Sequence, residues 1–570
     1  MNRFDHRKYR PFEPISKPDR RWPDKRITQA PRWASVDLRD GNQALSRPMN
    51  VEQKLEFFDL LIAIGCKEIE VGFPAASQPD FDFVRRIIEE QRIPEDVSIQ
   101  VLTQAREDLI ARTFEALRGV NKAIVHVYNS TNPVQREQVF RLDRAGVMDI
   151  ARRGARWVKK YAEQFPATEW TFEYSPESFS QTEPDFALDV CNAVNAIWQP
   201  REGQSVIINL PATVESSTPN VFADQVEWFC DNLPDREYVC ISVHTHNDRG
   251  SAVAASELAI LAGADRVEGT LFGNGERTGN MDIITLAMNL YSQGIDPRLD
   301  FSDPQRILSC YRRCTGMPVH PRHPWVGKWV YTAFSGSHQD AIRKGMRHYR
   351  SQPENGWQVP YLPIDPADIG RRYEEVVRIN SQSGKGGVAH VLERDYGIDA
   401  PAWLARELSR IVQAESEASG EEVPSQRIYA NFQAHFCVMP ESWRLAGYAI
   451  SRIGQRVEVR FQLEGDDKDS SWQGYGRGLV EALVDAITRR KRQHLKIEYF
   501  DQQALTRGTD AQALAIVRTQ LNGAHATAAA FSNDTASATI QCVLSAAGRL
   551  MASDNDEGME GDVPRRANIG

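Results

Sequence analysis

Two histidines separated by one residue, His244 and His246, end a β-rich run at residues 239–243 and precede Asn247 and Asp248. Because side chains alternate across a strand, residues two apart point to the same side. The two imidazoles can therefore converge on one ion from a rigid support, and imidazole pairs suit a borderline divalent metal. A His-x-His pair also arises as two surface histidines, so its surroundings decide between these interpretations.

Other polar residues stand at the ends of further β-rich runs. If these runs are parallel strands, their carboxyl ends meet at one end of the sheet, and the residues can share one site. His126, in an apolar run, also fits a core histidine with satisfied hydrogen bonds, and Glu177 also fits a solvated loop acid. The residues at these ends are Arg39 and Asp40 after the run at 34–38, His126 in the run at 123–128, Glu173 to Glu177 at the end of the run at 170–174, Asn209 and Thr213 at the end of the run at 206–210, and Gly273 to Asn280, including Glu276, after the run at 266–271.

One carboxylate and two imidazoles would form a mixed oxygen and nitrogen site for Mg²⁺, Mn²⁺ or Zn²⁺, with coordination positions left open. A substrate that chelates through two oxygens, such as a 2-oxo acid, could occupy those positions. The metal would polarise the ketone as a Lewis acid, and Arg39 could stabilise the alkoxide that develops.

Eight short β-rich runs, each followed by a segment whose apolar residues have a helical period, indicate parallel βαβ units. They span about 260 residues, the size of a (β/α)8 TIM barrel, in which catalytic groups come from the carboxyl ends of the strands. An open doubly wound sheet would carry a glycine-rich phosphate turn after its first strand, but residues 37–43 read Asp-Leu-Arg-Asp-Gly-Asn-Gln. We therefore expect a barrel. Its predicted strands are 34–38, 68–72, 98–103, 123–128, 170–174, 206–210, 240–244 and 266–271, and its clearest helices are 51–65, 150–165, 221–230 and 252–263.

The rest of the chain divides by composition. Residues 1–31 form a basic, proline-punctuated arm that could wrap over a partner, 32–296 the barrel catalytic domain, and 297–415 helical connecting subdomains. Residues 416–427 are expected to be a linker, 428–551 an α+β regulatory domain, and 552–570 a disordered acidic tail. Within the regulatory domain we predict strands at 431–438, 457–463 and 495–499 and helices at 479–488 and 535–550, as in a small duplicated module.

Bulk properties exclude several classes of protein. The net charge of −9, from 68 basic and 77 acidic residues, argues against a general nucleic-acid binder. No apolar run approaches the roughly 20 residues that cross a bilayer, and no apolar signal segment opens the chain, so we expect a cytoplasmic protein without membrane contact. The eight cysteines are scattered without metal-ligand spacing, which fits reduced, buried thiols.

Two glycine-rich segments after the barrel could carry chemistry. The segment around Ser383, Gly384 and Lys385 lacks the spacing and context of a P-loop, so we reject phosphate binding by that motif. His338 lies in a glycine- and serine-rich loop beside Gln339 and Asp340. As a general base, His338 would have to reach the barrel rim, and a turn histidine is the competing interpretation.

Six segments of the chain together carry a family resemblance. They are 37–43, 70–74 (Glu-Val-Gly-Phe-Pro), 244–250 (His-Thr-His-Asn-Asp-Arg-Gly) and 273–280 in the barrel, with 335–340 (Ser-Gly-Ser-His-Gln-Asp) and 360–363 (Pro-Tyr-Leu-Pro) beyond it. They resemble the long form of the 2-isopropylmalate synthase family, within the metal-dependent superfamily of Claisen-condensing synthases and lyases. The resemblance runs from about residue 9 to about residue 550.

This resemblance implies an acyltransferase that condenses acetyl-CoA with 2-oxoisovalerate and then hydrolyses the thioester. The products would be 2-isopropylmalate and CoA, in the first committed step of leucine synthesis. By motif, the resemblance implies a divalent metal, Mg²⁺ before Mn²⁺ or Zn²⁺, and acetyl-CoA as co-substrate. The implied metal ligands are Asp40, His244, His246 and Asn280.

The resemblance also implies roles for residues around the metal. Arg39 would lie beside the ketone oxygen and Thr213 at the 2-oxo acid carboxylate, with His126 and Asn209 as further substrate contacts. Glu177 and Glu276 would be supporting acids. His338, helped by Tyr361, would deprotonate the acetyl methyl group from the partner subunit of a domain-swapped homodimer.

Family members bind leucine at glycine-rich loops of a duplicated regulatory module. Here residues 474–478 (Gly-Tyr-Gly-Arg-Gly) keep one such loop, with Arg477 where proline is common. The second is replaced by 530–535 (Ala-Phe-Ser-Asn-Asp-Thr), which lacks glycine. The resemblance therefore leaves open whether leucine inhibits this chain.

Three alternative functions remain from the sequence. A sister synthase would use another 2-oxo acid, such as pyruvate or 2-oxoglutarate. A carbon–carbon lyase would leave the regulatory module unexplained. A catalytically silent amino-acid-binding regulator is disfavoured by the intact Arg39, Asp40, His244 and His246.

Overall fold

The structure is a computed structural model that describes residues 6–204, 206–333, 335–371, 385–419, 421–467, 470–505 and 512–556. The chain forms two compact units. The first comprises residues 1–330 and 364–371, and the second comprises 331–363 and 372–570.

Eight parallel strands close into a barrel in the first unit, in their order along the chain. The first strand pairs in parallel with both the second and the eighth, and this pairing closes the cylinder. The predicted (β/α)8 barrel is therefore confirmed. Its strands are β1 Arg32–Ser35, β2 Glu68–Gly72, β3 Ser98–Gln104, β4 Lys122–Ser130, β5 Glu169–Glu177, β6 Val206–Ala212, β7 Val239–Thr245 and β8 Arg266–Gly269.

Amphipathic helices surround the barrel and turn their apolar faces toward it. In α2 the buried residues Phe83, Val84 and Ile87 show the spacing of one helix face. A capping box begins α1: Asn50 Oδ1 accepts from Gln53 N at 2.9 Å, and Gln53 Oε1 accepts from Asn50 N at 3.1 Å. The helices of this unit are α1 Val51–Ala63, α2 Gln78–Glu89, α3 Glu107–Ala116, α4 Pro133–Gln135, α5 Arg144–Ala162, α6 Pro184–Trp198, α7 Pro219–Asn232, α8 Ala252–Ala262, α9 Ile283–Tyr291 and α10 Pro304–Thr315.

The strands β1 and β8 end two to three residues earlier than predicted. The carboxylate of Asp37 accepts hydrogen bonds from Leu271 N at 3.0 Å and from Ser35 Oγ at 2.8 Å. These bonds draw the chain out of the sheet, and Asp37–Gly41 forms one wide helical turn. The turn carries Asp40 at the carboxyl end of the barrel.

The amino-terminal arm binds the barrel of its own chain. Its described residues are irregular apart from the short turns His6–Lys8 and Trp22–Asp24. Lys17 Nζ donates to Asp231 Oδ2 on α7 at 3.0 Å. Arg20 Nε donates to Asp224 Oδ1, on the same helix, at 2.7 Å.

The second unit ends in two three-stranded antiparallel sheets, in the orders β11-β10-β9 and β12-β13-β14. One helix follows each sheet, so three strands and a helix occur twice in succession. The predicted duplicated α+β module is therefore present. Its elements are β9 Leu445–Ile453, β10 Arg456–Leu463, β11 Trp472–Gly476 and α15 Leu479–Lys491, then β12 Lys496–Ala504, β13 Ala513–Leu521, β14 Ala524–Ser532 and α16 Thr535–Asp556.

Among the described residues of this unit, four helices precede the module, α11 Gly336–Ser351, α12 Lys385–Tyr396, α13 Ala402–Ser419 and α14 Ser425–Phe436. The predicted linker at 416–427 is wrong because its first residues complete α13 and its last ones begin α14. Glu415, in the charged run, binds Arg427 Nε at 2.5 Å and Asn431 Nδ2 at 2.6 Å. The charged run is therefore the outer face of a packed helix pair.

The strand predicted at 431–438 is also wrong, because most of it lies in α14. The buried residues Ile428, Phe432 and Phe436 follow one another at intervals of four. This spacing gives one helix face, packed on the core that also contains Leu404 and Leu408 of α13.

Close packing accounts for glycine in the loop at 474–478. The backbone of α15 approaches β11 so closely that a Cβ atom on Gly474 would collide with the carbonyl oxygen of Ala482. Ala530 stands at the same distance before α16 as Gly474 stands before α15, and it is buried. The second repeat therefore accommodates a methyl group where the first cannot.

Among the described residues, no helix is both long and apolar enough to cross a membrane. The predicted tail at 552–570 begins too early, since α16 continues to Asp556, and residues 557–570 lie outside the described part of the chain. Ser383 and Gly384 also lie outside it, whereas Lys385 begins α12.

Candidate metal centre and active site

A cavity of about 400 Å³ opens at the carboxyl ends of the barrel strands. Of the barrel residues for which the sequence predicted a role as ligand, base or substrate contact, all but Asn280 line this cavity. The lining residues are Arg39, Asp40, Gln43, Phe73, Leu102, His126, Tyr128, Ser175, Glu177, Asn209, Pro211, Thr213, His244, His246, Glu276 and Arg277.

Asp40, His244 and His246 form a compact, buried group in this cavity. The Nε2 atoms of the two histidines are 3.2 Å apart. Asp40 Oδ2 lies 3.7 Å from His244 Nε2 and 3.9 Å from His246 Nε2. Ligands about 2.1 Å from one cation stand roughly 3 to 3.5 Å apart, so small adjustments would bring these three atoms into a coordination shell.

The electrostatic environment favours the ligand forms of these side chains. Burial, together with the neighbouring His244, lowers the pKa of His246 to about 3, which keeps its imidazole neutral. Burial by itself would raise the pKa of Asp40. The positive charge of Arg39, helped by the hydrogen bond from Asn280, opposes this effect, and the pKa of Asp40 lies below its ordinary value.

Asn280 supplies a fourth possible ligand atom, an amide oxygen, beside this group. Its Nδ2 atom donates to Asp40 Oδ2 at 2.6 Å. Its Oδ1 atom is buried and accepts no hydrogen bond from any residue that the structure describes. A buried carbonyl oxygen without a donor is costly, and a cation would compensate that cost. The donor set of carboxylate, amide oxygen and two imidazoles therefore fits a divalent metal.

Arg39 is fixed beside this group of potential ligands by two carboxylates. Its Nε atom donates to Glu70 Oε2 at 2.5 Å, and its Nη1 atom lies 3.1 Å from Asp40 Oδ1. Glu70 is fully buried. The guanidinium is thus a fixed positive charge at the cavity wall, suited to an oxyanion that forms nearby.

The polar residues on the opposite wall are held by neighbouring strands. His126 Nε2 lies 2.7 Å from Ser175 Oγ, and Asn209 Nδ2 donates to the same oxygen at 3.0 Å. Thr213 Oγ1 accepts from Ser178 N at 2.9 Å, which leaves its own proton available. The predicted substrate contacts are therefore brought together along one side of the cavity.

The two acids at the cavity mouth have different partners. Glu177 accepts a hydrogen bond from Ser130 Oγ. Glu276 Oε1 accepts from Gln43 Nε2 at 3.1 Å, and the same amide nitrogen donates to Asp40 Oδ1 at 3.1 Å. Gln43 was not singled out from the sequence, although it stands in the segment that carries Arg39 and Asp40.

A buried polar layer beneath the cavity is the main feature that sequence reasoning missed. Glu268 Oε2 accepts from His244 Nδ1 at 2.8 Å, and Glu268 Oε1 accepts from Arg266 Nη1 at 2.8 Å. Arg266 also donates to Gln100 Oε1 at 2.6 Å. The signal was present, because Arg266 and Glu268 alternate on a strand otherwise expected to be apolar.

His338 and Tyr361 lie in the second unit. Their rings stack with centroids 4.0 Å apart. Tyr361 is 61% exposed and adopts a positive φ of 64°. Both residues were predicted from the sequence as site residues, and in the structure they lie next to each other on the surface of that unit.

Comparison with known families accounts for three regions of the chain. Residues 30–310 match the HMGL-like family, and residues 328–393 match the family described as alpha-isopropylmalate synthase, post-catalytic domain-like. Residues 422–551 match the LeuA allosteric (dimerisation) domain.

Curated relatives match across nearly the whole chain. The 2-isopropylmalate synthase of Alcanivorax borkumensis is 58% identical over 549 residues, 96% of this chain and 98% of that protein. The 2-isopropylmalate synthase of Pseudomonas entomophila is 53% identical and covers 91% of this chain and 92% of its own length. That of Rhodospirillum rubrum is 53% identical, over 90% of this chain and 93% of its own. The chain therefore belongs to the 2-isopropylmalate synthase family.

Proposed function

We propose that this chain condenses acetyl-CoA with 2-oxoisovalerate and then hydrolyses the thioester, releasing 2-isopropylmalate and CoA. The observation that carries the proposal is one cavity in which Arg39 stands beside Asp40, His244 and His246. The named relatives support the same reaction, because they match 96% and 91% of this chain.

Asp40, His244, His246 and Asn280 would hold the cation, for which Mg²⁺ is the first candidate and Mn²⁺ and Zn²⁺ are the others. When bound, the cation polarises the ketone of the 2-oxo acid as a Lewis acid. Arg39 supplies a second positive charge toward the alkoxide that forms when the new carbon–carbon bond is made. Glu70 keeps its guanidinium in place throughout.

The walls of the cavity support a small branched 2-oxo acid. Thr213 offers its hydroxyl hydrogen to the carboxylate, and His126 and Asn209 in the cavity lining are the further contacts. Leu102 and Pro211 form an apolar part of the wall, which suits an isopropyl group better than a second carboxylate. This composition favours 2-oxoisovalerate over 2-oxoglutarate.

The proposal assigns proton abstraction to His338, assisted by Tyr361, from the partner subunit of a homodimer. The α-proton of a thioester is very weakly acidic, and a positioned base accelerates its removal by about 10²–10⁴-fold. The match of residues 422–551 to a dimerisation domain supports an oligomer. Glu177 and Glu276 would support the later hydrolysis of the thioester.

Leucine is the proposed effector of the duplicated module. A cavity of about 750 Å³ lies in that module, lined by apolar side chains such as Leu479, Val484, Ile497 and Phe500. The match to an allosteric domain supports regulation at this module. Calorimetric titration with leucine, alongside inhibition of turnover, distinguishes a binding module from one that has lost its ligand.

An assay of free thiol release tests the catalytic proposal. Purified enzyme with Mg²⁺ or Mn²⁺, acetyl-CoA and a panel of 2-oxo acids is expected to release CoA fastest with 2-oxoisovalerate. Faster release with pyruvate or 2-oxoglutarate would assign a sister synthase. No release with any 2-oxo acid, in the presence of metal, would contradict the proposal.

A further inference from the structure

A second group of potential metal ligands lies in the first unit, between α1 and α10. It consists of Glu56 on α1 and of Cys310 and Cys314 on α10. Their ligand atoms all lie within 4.8 Å of one another. The two sulfur atoms are 3.9 Å apart, and both cysteines are buried, at 3% and 2% exposure.

We propose that Glu56, Cys310 and Cys314 form a binding site for a thiophilic divalent cation of the zinc class, distinct from the centre at Asp40. The sequence alone gave no hint of this site, since its cysteines lack the usual ligand spacing and the carboxylate comes from a residue 254 positions away from the first of them.

The distance between the sulfur atoms matches the geometry of a tetrahedral thiolate site. Zinc–sulfur bonds of about 2.3 Å at the tetrahedral angle place two sulfur ligands about 3.8 Å apart. The interval of four residues puts Cys310 and Cys314 on the same face of α10, one turn apart. No rearrangement of the helix is therefore needed to bring both thiolates to one ion.

The charges around the site also fit a dication. Two thiolates and the Glu56 carboxylate carry three negative charges. Arg313 Nε donates to Glu56 Oε1 at 3.0 Å, so one positive charge is already present and a dication completes neutrality. Both cysteines lie in the last two turns of α10, where the helix dipole favours a cation.

The two metal centres differ in the cation they select. The carboxylate, amide and imidazole donors at Asp40 accept Mg²⁺ or Mn²⁺ as well as Zn²⁺, whereas thiolates select zinc, cobalt and cadmium over Mg²⁺. Binding at the cysteines releases the thiol protons to solvent. It would also join α1 to α10 and stabilise the folded state through ligand linkage.

Cobalt is the probe for the first experiment, because thiolate ligation gives a near-ultraviolet charge-transfer absorption that oxygen and nitrogen ligands do not. The full-length protein is reduced, stripped of metal with a chelator and titrated with Co²⁺. We expect the thiolate absorption in the unmodified protein, in the Asp40→Ala/His244→Ala variant, and in Cys437→Ser as a matched cysteine control.

The Cys310→Ser/Cys314→Ser variant is expected to lose this absorption. Should that variant not fold, Glu56→Gln serves instead, because Glu56 is partly exposed; we expect it to weaken cobalt binding at least about tenfold. Zinc should raise the Tm of the Asp40→Ala/His244→Ala variant. Absence of the absorption in the folded, reduced protein overturns the proposal, and so does absorption that survives loss of both cysteines.

Discussion

Replacing Glu268 with glutamine is expected to weaken divalent-cation binding at the catalytic centre, although Glu268 is not itself in the ligand group. Its carboxylate accepts the Nδ1 proton of His244 at 2.8 Å. That hydrogen bond fixes the tautomer in which His244 Nε2 carries the lone pair, and it fixes the plane of the ring. Glutamine keeps the volume of the side chain but loses the negative charge.

The size of the effect follows from the type of hydrogen bond that is changed. Loss of a partner that orients a metal-binding histidine costs about 10–100-fold in metal affinity. This corresponds to about 1.4–2.8 kcal/mol, since each tenfold step is about 1.4 kcal/mol. A charge-assisted hydrogen bond contributes about 1.5–3 kcal/mol, which agrees with that range.

Glu173→Gln provides a matched control within the same buried layer. Both carboxylates are buried and contact Arg266, with Glu173 Oε1 at 3.4 Å from Arg266 Nη1. Of these two carboxylates, only that of Glu268 is hydrogen bonded to His244 in the described residues. Burial and the nearby Glu268 raise the pKa of Glu173 well above its ordinary value, and glutamine keeps the volume of its side chain.

The assay is calorimetric titration of metal-free protein with Mn²⁺, with turnover measured as a function of Mn²⁺ concentration. We expect Glu268→Gln to need about 10–100-fold more metal for half-maximal activity, with most of the turnover restored at saturation. Glu173→Gln should keep its metal affinity within about threefold. Equal weakening in both variants, or unchanged affinity in Glu268→Gln, would refute the orienting role.

Three further predictions concern the ligands, the proposed base and a peripheral ion pair. Asp40→Ala should abolish turnover while the variant keeps its circular dichroism spectrum, and retained turnover would remove Asp40 from the ligand set. His338→Ala should lower kcat by about 10²–10⁴-fold without changing Mn²⁺ affinity. Mixed dimers of Asp40→Ala with His338→Ala subunits should regain activity, which would be absent if each subunit used its own His338. The hydrogen bonds from Arg136 lower the pKa of Glu183 from 4.5 to about 2. Between pH 4.5 and about 2 the unfolded chain binds a proton at Glu183 that the folded chain does not bind. The stabilisation by the Arg136–Glu183 pair is therefore complete above pH 4.5 and is lost as the pH falls through about 2. Glu183→Gln should reduce the dependence of the free energy of unfolding in urea on pH between 4.5 and about 2. An unchanged slope would show that the Arg136–Glu183 pair does not contribute to this dependence.

The barrel and the cavity at the carboxyl ends of its strands were largely predictable from the sequence. Both follow from the order of strands, helices and polar residues along the chain. Parallel strands deliver the residues that follow them to one end of the sheet, whatever the details of packing. Arg39, His126, Thr213 and His246 could therefore be assigned to a common rim without knowledge of distances. The limits of β1 and β8 were less predictable, since they depend on the long-range contact of Asp37 with Leu271.

The errors arose where one pattern fits two structures. Charged residues around Glu415 fit a solvated linker or the outer face of a helix, and only packing against α14 decides between them. The apolar residues of 431–438 were interpreted as a strand, although Phe432 and Phe436 are spaced for a helix. The role of Glu268 and Arg266 could not be predicted, because it depends on hydrogen bonds with residues of other strands, such as Glu68 and Gln100.

The contact of the amino-terminal arm with α7 has a consequence for shortened forms of the protein. Asp224, Glu227 and Asp231 occupy successive turns of α7, where like charges repel. The side chains of Asp224 and Glu227 are 0% and 1% exposed beneath Arg20 and Arg21. The arm is thus a tethered set of counter-ions. A chain trimmed to begin at residue 30, where the family match starts, should melt at a lower temperature in dilute buffer and recover part of that loss in salt.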